Sequence, residues 1–161
     1  VMPHQAEDIW QNVPENQRGG LESILLADWV KFNKEWDNAQ LEEDFTKILK
    51  TREVVTRAIE PLRAEKKVGS SLEVAVYVKS DDSEILKANA TDLADIFITS
   101  QAYVADEAPA EVLNEYTEGG ITVWVTKAEG EKCERCWKFR KLGEHAGHET
   151  ICSDCYEAVT E

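Results

Sequence analysis

The stretch GEKCERCWKFRKLGEHAGHETICSDCY, residues 130–156, holds all four cysteines of the 161-residue chain. They form two Cys-x2-Cys pairs separated by 15 residues, a spacing typical of zinc sites. Each pair places two sulfurs on one side of a tight turn, and two such turns offer Zn²⁺ a tetrahedral set of thiolates. The spacing therefore predicts one zinc ion per chain, held by Cys133, Cys136, Cys152 and Cys155.

The residue types around these cysteines favour a structural metal. Iron fits the same cage, whereas disulfides need an oxidising compartment and no secretion leader is visible. His145 and His148 lie between the two pairs and are expected on a surface loop, because four thiolates already complete the ligand shell. A closed shell leaves no position for water or substrate, so we expect no catalytic metal.

The preceding residues, 71–128, predict a small α/β layer. Apolar and other residues alternate from Leu72 to Lys79, which indicates a strand. The pattern further predicts a helix over 83–93, a strand over 95–104, one helical turn near 110–116 and a strand over 121–126. This order of elements is typical of helices packed on a sheet.

Residues 1–70 predict helices. A short helix is expected over 3–12, followed by a loop over 13–20. A longer helix begins near Leu41, and its apolar residues fall within an arc of about 100°. These residues are Leu41, Phe45, Ile48, Val55, Ile59 and Leu62. Pro61 is expected to kink this helix or start a new turn, and Gly69 to end it.

Basic residues on the long helix have two interpretations. Arg52 falls inside the apolar arc, where a guanidinium must be paired or must reach solvent. It is either half of a buried ion pair or a functional contact in a groove. Lys47, Lys50 and Arg57 lie on the other side of the helix, as a solvated face or as a contact surface.

Charge limits the classes of function. The chain carries 18 Lys and Arg against 32 Asp and Glu, a net charge of −14, which excludes a basic coat for nucleic acid. No apolar run approaches the roughly 20 residues of a membrane helix. Residues 132–141 are the exception to the acidity, with five basic residues against Glu134 alone. This local charge either balances the metal thiolates or contacts phosphates.

Several motifs occur in an order that resembles one known family. Pro3–Trp10 is similar to the Pro-His-Thr-Ala-Glu-Glu-Ile-Trp stretch of bacterial isoleucyl-tRNA synthetases, with Gln5 where Thr is usual. The run Arg52-x2-Val-x2-Ala-Ile-Glu-x2-Arg63, and Gly69–Ala75 after it, resemble further segments of that family. Lys132-Cys-Glu-Arg-Cys-Trp137 and Ile151-Cys-Ser-Asp-Cys155 resemble the two halves of its C-terminal zinc module. Pro61 and Ser70 depart from the family pattern.

The resemblance implies a piece of a larger class I aminoacyl-tRNA synthetase, which attaches isoleucine to its tRNA with ATP. The implied fold class is α+β, with part of a helical anticodon-binding bundle over 1–70, a small α/β junction over 71–128 and a zinc knuckle or ribbon over 129–161. ATP belongs to the parent enzyme only, and His145–His148 matches the family's His-x-Gly-His motif by letter alone. We therefore expect no catalytic residue and no activity in the isolated piece, which Val1 before Met2 also indicates is a fragment.

The implied partner is the anticodon stem-loop of tRNA. Phosphates and unstacked bases call for basic donors and aromatic platforms. The expected contacts are Arg135, Trp137, Lys138, Arg140, Lys47, Lys50 and Arg57. The protein is expected to be a cytoplasmic monomer without a membrane partner. The alternative interpretations are the zinc-finger terminus of a DNA-repair glycosylase and a zinc-stabilised protein-interaction module.

Overall fold

The computed structural model describes residues 2–160, so the predicted limits at residues 1 and 161 lie outside the described part. Its backbone divides into two compact units, Val1–Asn38 and Ala39–Glu161. Among the described residues, no helix combines the length and apolar character needed to cross a lipid bilayer. The three-domain division at 70/71 and 128/129 stays a prediction.

The first unit is built on one helix, α1 (Pro3–Gln11), followed by short 3-10 turns. The helix agrees with its prediction to within one residue. Its Glu7 carboxylate accepts hydrogen bonds from the Ser23 hydroxyl at 2.7 Å and the Ile24 N–H at 3.1 Å. The Trp10 indole N–H donates to the Leu21 carbonyl at 3.3 Å. These contacts tie the loop after α1 back onto the helix.

The second unit begins with the long helix α2 (Ala39–Ala64), whose core-facing stripe is confirmed from Ile48 onward. Leu41 and Phe45 are exposed, so their predicted burial is wrong. The core cluster on α2 begins only at Ile48, and an apolar stripe is buried only where another element covers it.

The end of α2 also differs from the prediction. α2 continues through Pro61 to Ala64, so Pro61 does not start a new turn, and the expected kink stays a prediction; the exposed ring lies in the last turns and removes a single backbone donor. The helix ends before Gly69, at a left-handed residue, Lys66, with a φ of 58°. The Lys67 N–H reaches the Leu62 carbonyl at 2.9 Å and the Lys66 N–H reaches Arg63 at 3.0 Å, the two bonds of a Schellman motif.

Four strands form one mixed sheet in the order β2-β1-β4-β3. The strands are β1 (Val74–Lys79), β2 (Gln101–Val104), β3 (Asn114–Glu118) and β4 (Ile121–Lys127). β1 is parallel to β2 and antiparallel to β4. Two short helices, α3 (Ser83–Ala88) and α4 (Leu93–Ile96), connect β1 to β2 along the chain. The prediction that helices pack on a small sheet in this part of the chain is therefore confirmed.

Three of its boundaries were predicted wrongly. The helix expected over 83–93 ends at Ala88, and in the strand expected over 95–104 the first two residues are helical and residues 97–100 form a turn and bend. Ile98, with a φ of 57°, separates α4 from β2. The helical turn expected near 110–116 is instead the start of β3, because Gly119 and Gly120, at φ 57° and 81°, form the two-residue turn of a β3–β4 hairpin.

The sheet has a covered inner face and a second, outer face. Val74, Val76 and Val78 of β1 and Val123 and Val125 of β4 are fully buried on the inner face. This face packs against α2 and α3, and Ile48 to Leu62 supply the helix side of the core. Residues between these valines alternate to the outer face.

A small module containing all four cysteines follows β4. It has a two-stranded ribbon, β5 (Glu131–Lys132) and β6 (Phe139–Arg140), and a closing helix, α5 (Ser153–Thr160). The Gln101 side-chain amide donates to the carbonyls of Glu129 at 3.0 Å and Phe139 at 2.8 Å. Gly130 leads into the ribbon at φ 95°, where a Cβ would lie 2.5 Å from the Arg140 carbonyl oxygen. The module is thus held against the edge of the sheet.

Candidate metal centre and nucleic-acid interface

The four cysteine sulfurs converge between the ribbon and α5. Cys133 and Cys136 lie on the turn between β5 and β6, Cys152 precedes α5, and Cys155 lies in its first turn. All four Sγ atoms are within 4.8 Å of one another. The Cys133–Cys155 and Cys136–Cys152 sulfur separations are 3.8 Å, close to the edge of a thiolate tetrahedron around a metal.

Burial and backbone donors set the protonation of these thiols. Burial raises the pKa of Cys133, but N–H donors from Cys136, Cys152 and Arg135 outweigh it and lower that pKa to about 6. Burial raises the pKa of Cys136 to about 12 and also raises that of Cys152. The metal-free cage therefore keeps protons that a divalent cation would have to displace.

The two histidines of this module are engaged outside the sulfur cage. The His145 ring stacks on Tyr156 with centroids 3.9 Å apart, and its Nε2 lies 3.2 Å from the Ser153 hydroxyl. His148 meets the same tyrosine edge-on at 5.3 Å. The group of side chains positioned to hold a metal contains the four cysteines and neither histidine. The arrangement suits a closed, structural site.

Trp137 is presented to solvent by the first cysteine turn. Its backbone is left-handed, with a φ of 65°, and its N–H donates to the Cys133 carbonyl at 2.9 Å. The side chain is 61% exposed, and the Lys132 ammonium lies 5.7 Å from its ring centroid. Arg135, on the same turn, is exposed and has no ion pair among residues 2–160. The cysteine turn therefore carries an exposed aromatic ring with one ammonium group close to it, and the exposed Arg135 two residues before that ring.

Other predicted contact residues of the module already have acidic partners. Lys138 forms an ion pair with Asp95 of α4, and its side chain is only 14% exposed. Arg140 lies 3.7 Å from the Asp154 carboxylate. Lys141 also pairs, with Glu144 at 2.7 Å, so among residues 2–160 only Lys132 and Arg135 of the five basic residues over 132–141 have no ion pair.

The predicted contacts on α2 are partly paired as well. Lys47 bonds Glu43 at 2.8 Å, and Arg57 forms an ion pair with Glu118 of β3. Hydrogen bonding from Arg57 holds the pKa of Glu118 below its usual range. Lys50 is exposed beside the β3–β4 turn, where a Cβ on Gly119 would be 3.8 Å from its Cε and Nζ. The seven predicted contacts therefore form two groups, one on the module and one on α2.

Arg52 does not form the buried ion pair of its first interpretation with any residue of 2–160, and the functional contact of the second stays a prediction. It is half-buried, and it has no ion pair among the described residues. It lines a cavity of about 450 Å³ on α2 together with Leu49, Glu53, Thr56 and Arg57. Its place inside the apolar arc was the signal for this groove. Lys132 was not among the predicted contacts, although it belongs to the basic stretch 132–141, and the structure places its ammonium near Trp137.

Comparison with known proteins gives the class. The sequence profile of the anticodon-binding domain of tRNA ligases matches residues 1–78. The whole chain is 39% identical to an isoleucine–tRNA ligase of Syntrophomonas wolfei, covering 100% of this chain and 18% of that protein. It is 34% identical to the chloroplastic/mitochondrial isoleucine–tRNA ligase of Arabidopsis thaliana, over 99% of this chain and 17% of that protein.

A third relative, the isoleucine–tRNA ligase of Caldanaerobacter subterraneus, is 34% identical over 100% of this chain. The chain belongs to the isoleucine–tRNA ligase family, and it spans less than a fifth of the length of these relatives. The family confirms the resemblance drawn from the sequence. It favours the tRNA interpretation over a DNA-repair glycosylase terminus.

Proposed function

We propose that this chain is a tRNA-binding region of an isoleucine–tRNA ligase and contacts the anticodon stem-loop. The match of residues 1–78 to an anticodon-binding domain supports this role. The reaction itself, which joins isoleucine to tRNA with ATP on a class I catalytic core, belongs to the rest of the ligase. The chain alone is then inactive, and we propose that the ligase works as a cytoplasmic monomer.

The metal proposed for the four cysteines is one structural zinc ion. Four thiol ligands within 4.8 Å of one another support it, because soft thiolates in a tetrahedral set favour Zn²⁺. When bound, the ion would cross-link the ribbon to α5. The chain's own contribution is to hold the cysteine turn in the conformation that exposes Trp137.

One observation carries the tRNA proposal: a tryptophan with an exposed ring stands on the cysteine turn, 5.7 Å from the Lys132 ammonium and two residues after the exposed Arg135. A buried tryptophan would indicate packing, whereas this ring is free to stack on an unpaired base. Lys132 and Arg135 lie where they can neutralise the neighbouring phosphates. The charge-balance alternative does not explain why the ring faces solvent.

The remaining predicted contacts are proposed in supporting roles. Lys138 and Arg140 would have to exchange Asp95 and Asp154 for phosphates, so we expect smaller contributions from them. The same holds for Lys47 and Arg57 on α2. Lys50 and the half-buried Arg52 are the basic residues of α2 that form no ion pair within residues 2–160. We therefore propose Arg52 as an additional tRNA contact.

Replacing Arg135 with glutamine is expected to weaken tRNA binding and to flatten its salt dependence. The loss of one phosphate contact should reduce the slope of log K against log salt by about 0.7–0.9. Fluorescence anisotropy with labelled isoleucine tRNA and the zinc-loaded chain, from 50 to 300 mM salt, measures both quantities.

Lys87→Gln is the matched control, because it removes one exposed positive charge on α3, away from the cysteine module. It should leave the slope unchanged. Equal effects from Arg135→Gln and Lys87→Gln would mean that only the overall charge matters, and would contradict the proposed contact.

A further inference from the structure

The outer face of the four-stranded sheet carries a row of aromatic side chains. Tyr77 of β1 is in register with Tyr103 of β2 on one side and with Trp124 of β4 on the other. The two tyrosine rings have centroids 4.9 Å apart, and Tyr103 is 44% exposed, whereas Trp124 is buried, so the accessible part of the row is the tyrosine pair. Glu115 of β3 follows Trp124 in the same row. None of these residues is used in the proposed tRNA contact.

A groove runs beside this row. It has a volume of about 490 Å³ and lies between Tyr77, the loop residues Pro109–Glu111 and the end of β4 with its continuation, Thr126–Glu129. Burial, the neighbouring Tyr103 and the Glu129 carboxylate together raise the pKa of Tyr77. The Glu129 charge therefore acts on the aromatic wall of the groove.

Two carboxylates, Glu111 and Glu129, and one ammonium group, Lys127, line the groove, and further carboxylates lie near it in the chain or the sheet. Five exposed carboxylates lie on the connecting loop or around the aromatic row: Asp106, Glu107, Glu111, Glu115 and Glu129. Among residues 2–160, none of the five has an ion pair or a side-chain hydrogen bond. Lys79 and Lys127 are the nearby basic residues, so the region is net negative.

Charge decides between two kinds of partner for an aromatic sheet face. Bases of single-stranded nucleic acid stack on such rings, but their phosphates would be repelled by these carboxylates. Guanidinium and ammonium groups are attracted both to tyrosine faces and to carboxylates. We propose that this groove binds an arginine- or lysine-rich peptide segment of a partner protein, at a surface separate from the tRNA contact.

The experiment uses the full 161-residue chain and a dye-labelled nona-arginine peptide, with binding followed by fluorescence anisotropy. The double variant Glu111→Gln/Glu129→Gln should bind the peptide about tenfold more weakly, and Tyr103→Leu about threefold to fivefold more weakly. Both changes are at exposed positions, and circular dichroism would verify that the fold is retained.

The matched control is Glu42→Gln/Glu157→Gln, which removes the same two charges at exposed positions on α2 and α5. Less than a twofold change in this control, beside the tenfold loss in the groove, supports the proposal. Equal losses in both double variants would show attraction to the net charge alone and would overturn it. Binding of an oligo(U) RNA that Tyr103→Leu abolishes, without peptide binding, would also overturn it.

Discussion

Replacing Cys133 with serine is expected to abolish zinc binding and to unfold the cysteine module while the sheet stays folded. Cys133 is fully buried, and its sulfur accepts the Cys152 N–H at 3.4 Å. Apart from the cysteines, the apolar cluster of the module contains just Leu142 and Ile151 among the described residues, so its apolar core is small. Zinc binding in finger peptides contributes about 10–16 kcal/mol at neutral pH, and folding depends on it.

Metal analysis of the purified chain should find one zinc ion in the parent and none in Cys133→Ser. Hydrogen exchange should become fast in β5, β6 and α5, and stay slow in β1 and β4. His145→Gln is the control, since that ring stacks on Tyr156 outside the cage and its loss should leave the zinc content at one. A full equivalent of zinc in Cys133→Ser would contradict the four-cysteine site.

The sign of the pH dependence follows from the thiols. Cys136 and Cys152 have raised pKa values, so both are protonated at neutral pH in the metal-free chain. Zinc must displace those protons, and lower pH therefore opposes binding. Cys133, with a pKa of about 6, is already a thiolate at pH 7 and has no proton to lose on binding zinc.

Replacing Trp137 with alanine is expected to impair charging of tRNA without affecting activation of isoleucine. Loss of a stacked aromatic costs about 1–3 kcal/mol, so kcat/KM for tRNA should fall by a factor of about 5 to 150. The measurement is aminoacylation by a full-length isoleucine–tRNA ligase that contains this chain, compared with its ATP–pyrophosphate exchange. Only the first reaction should change, because the second does not need tRNA.

Trp137→Phe is the matched control, because it keeps an aromatic ring on the same left-handed turn. It should retain most of the charging activity. If alanine and phenylalanine were equally harmful, the loss would come from the turn and its cysteines and not from stacking. An unchanged kcat/KM for tRNA in the Trp137→Ala ligase would show that this side chain does not contact the tRNA.

Local patterns were sufficient for the elements whose signal lies within a few residues. The cysteine spacing predicted the sulfur cage, and the apolar period of α2 predicted burial of Ile48, Val55, Ile59 and Leu62. The β3–β4 hairpin was missed although Gly119-Gly120 is a two-residue turn signal, because β3 itself has few apolar residues. An apolar alternation over 96–98 likewise suggested a strand where α4 ends.

For the candidate interface, the sequence could predict which residue types are available, but not which of the basic residues are free of acidic partners. Which basic residues stay free depends on partners far away in sequence: Arg57 meets Glu118 across 61 positions, and Lys138 meets Asp95 across 43. No local pattern encodes such pairs, since they follow from how α2, α4 and the module pack on the sheet. The structure therefore adds the distinction between the paired residues of the module and Lys132 and Arg135, which have no ion pair among residues 2–160.

Chemical footprinting of isoleucine tRNA is the most direct test of the tRNA contact. The zinc-loaded chain is added to the tRNA, and protection of each nucleotide is compared with that in the presence of the Trp137→Ala variant. We predict protection of the anticodon loop and the adjoining stem, with at least one unpaired base that loses protection in the variant. Protection confined to the acceptor stem, or an anticodon pattern identical in both proteins, would contradict the account.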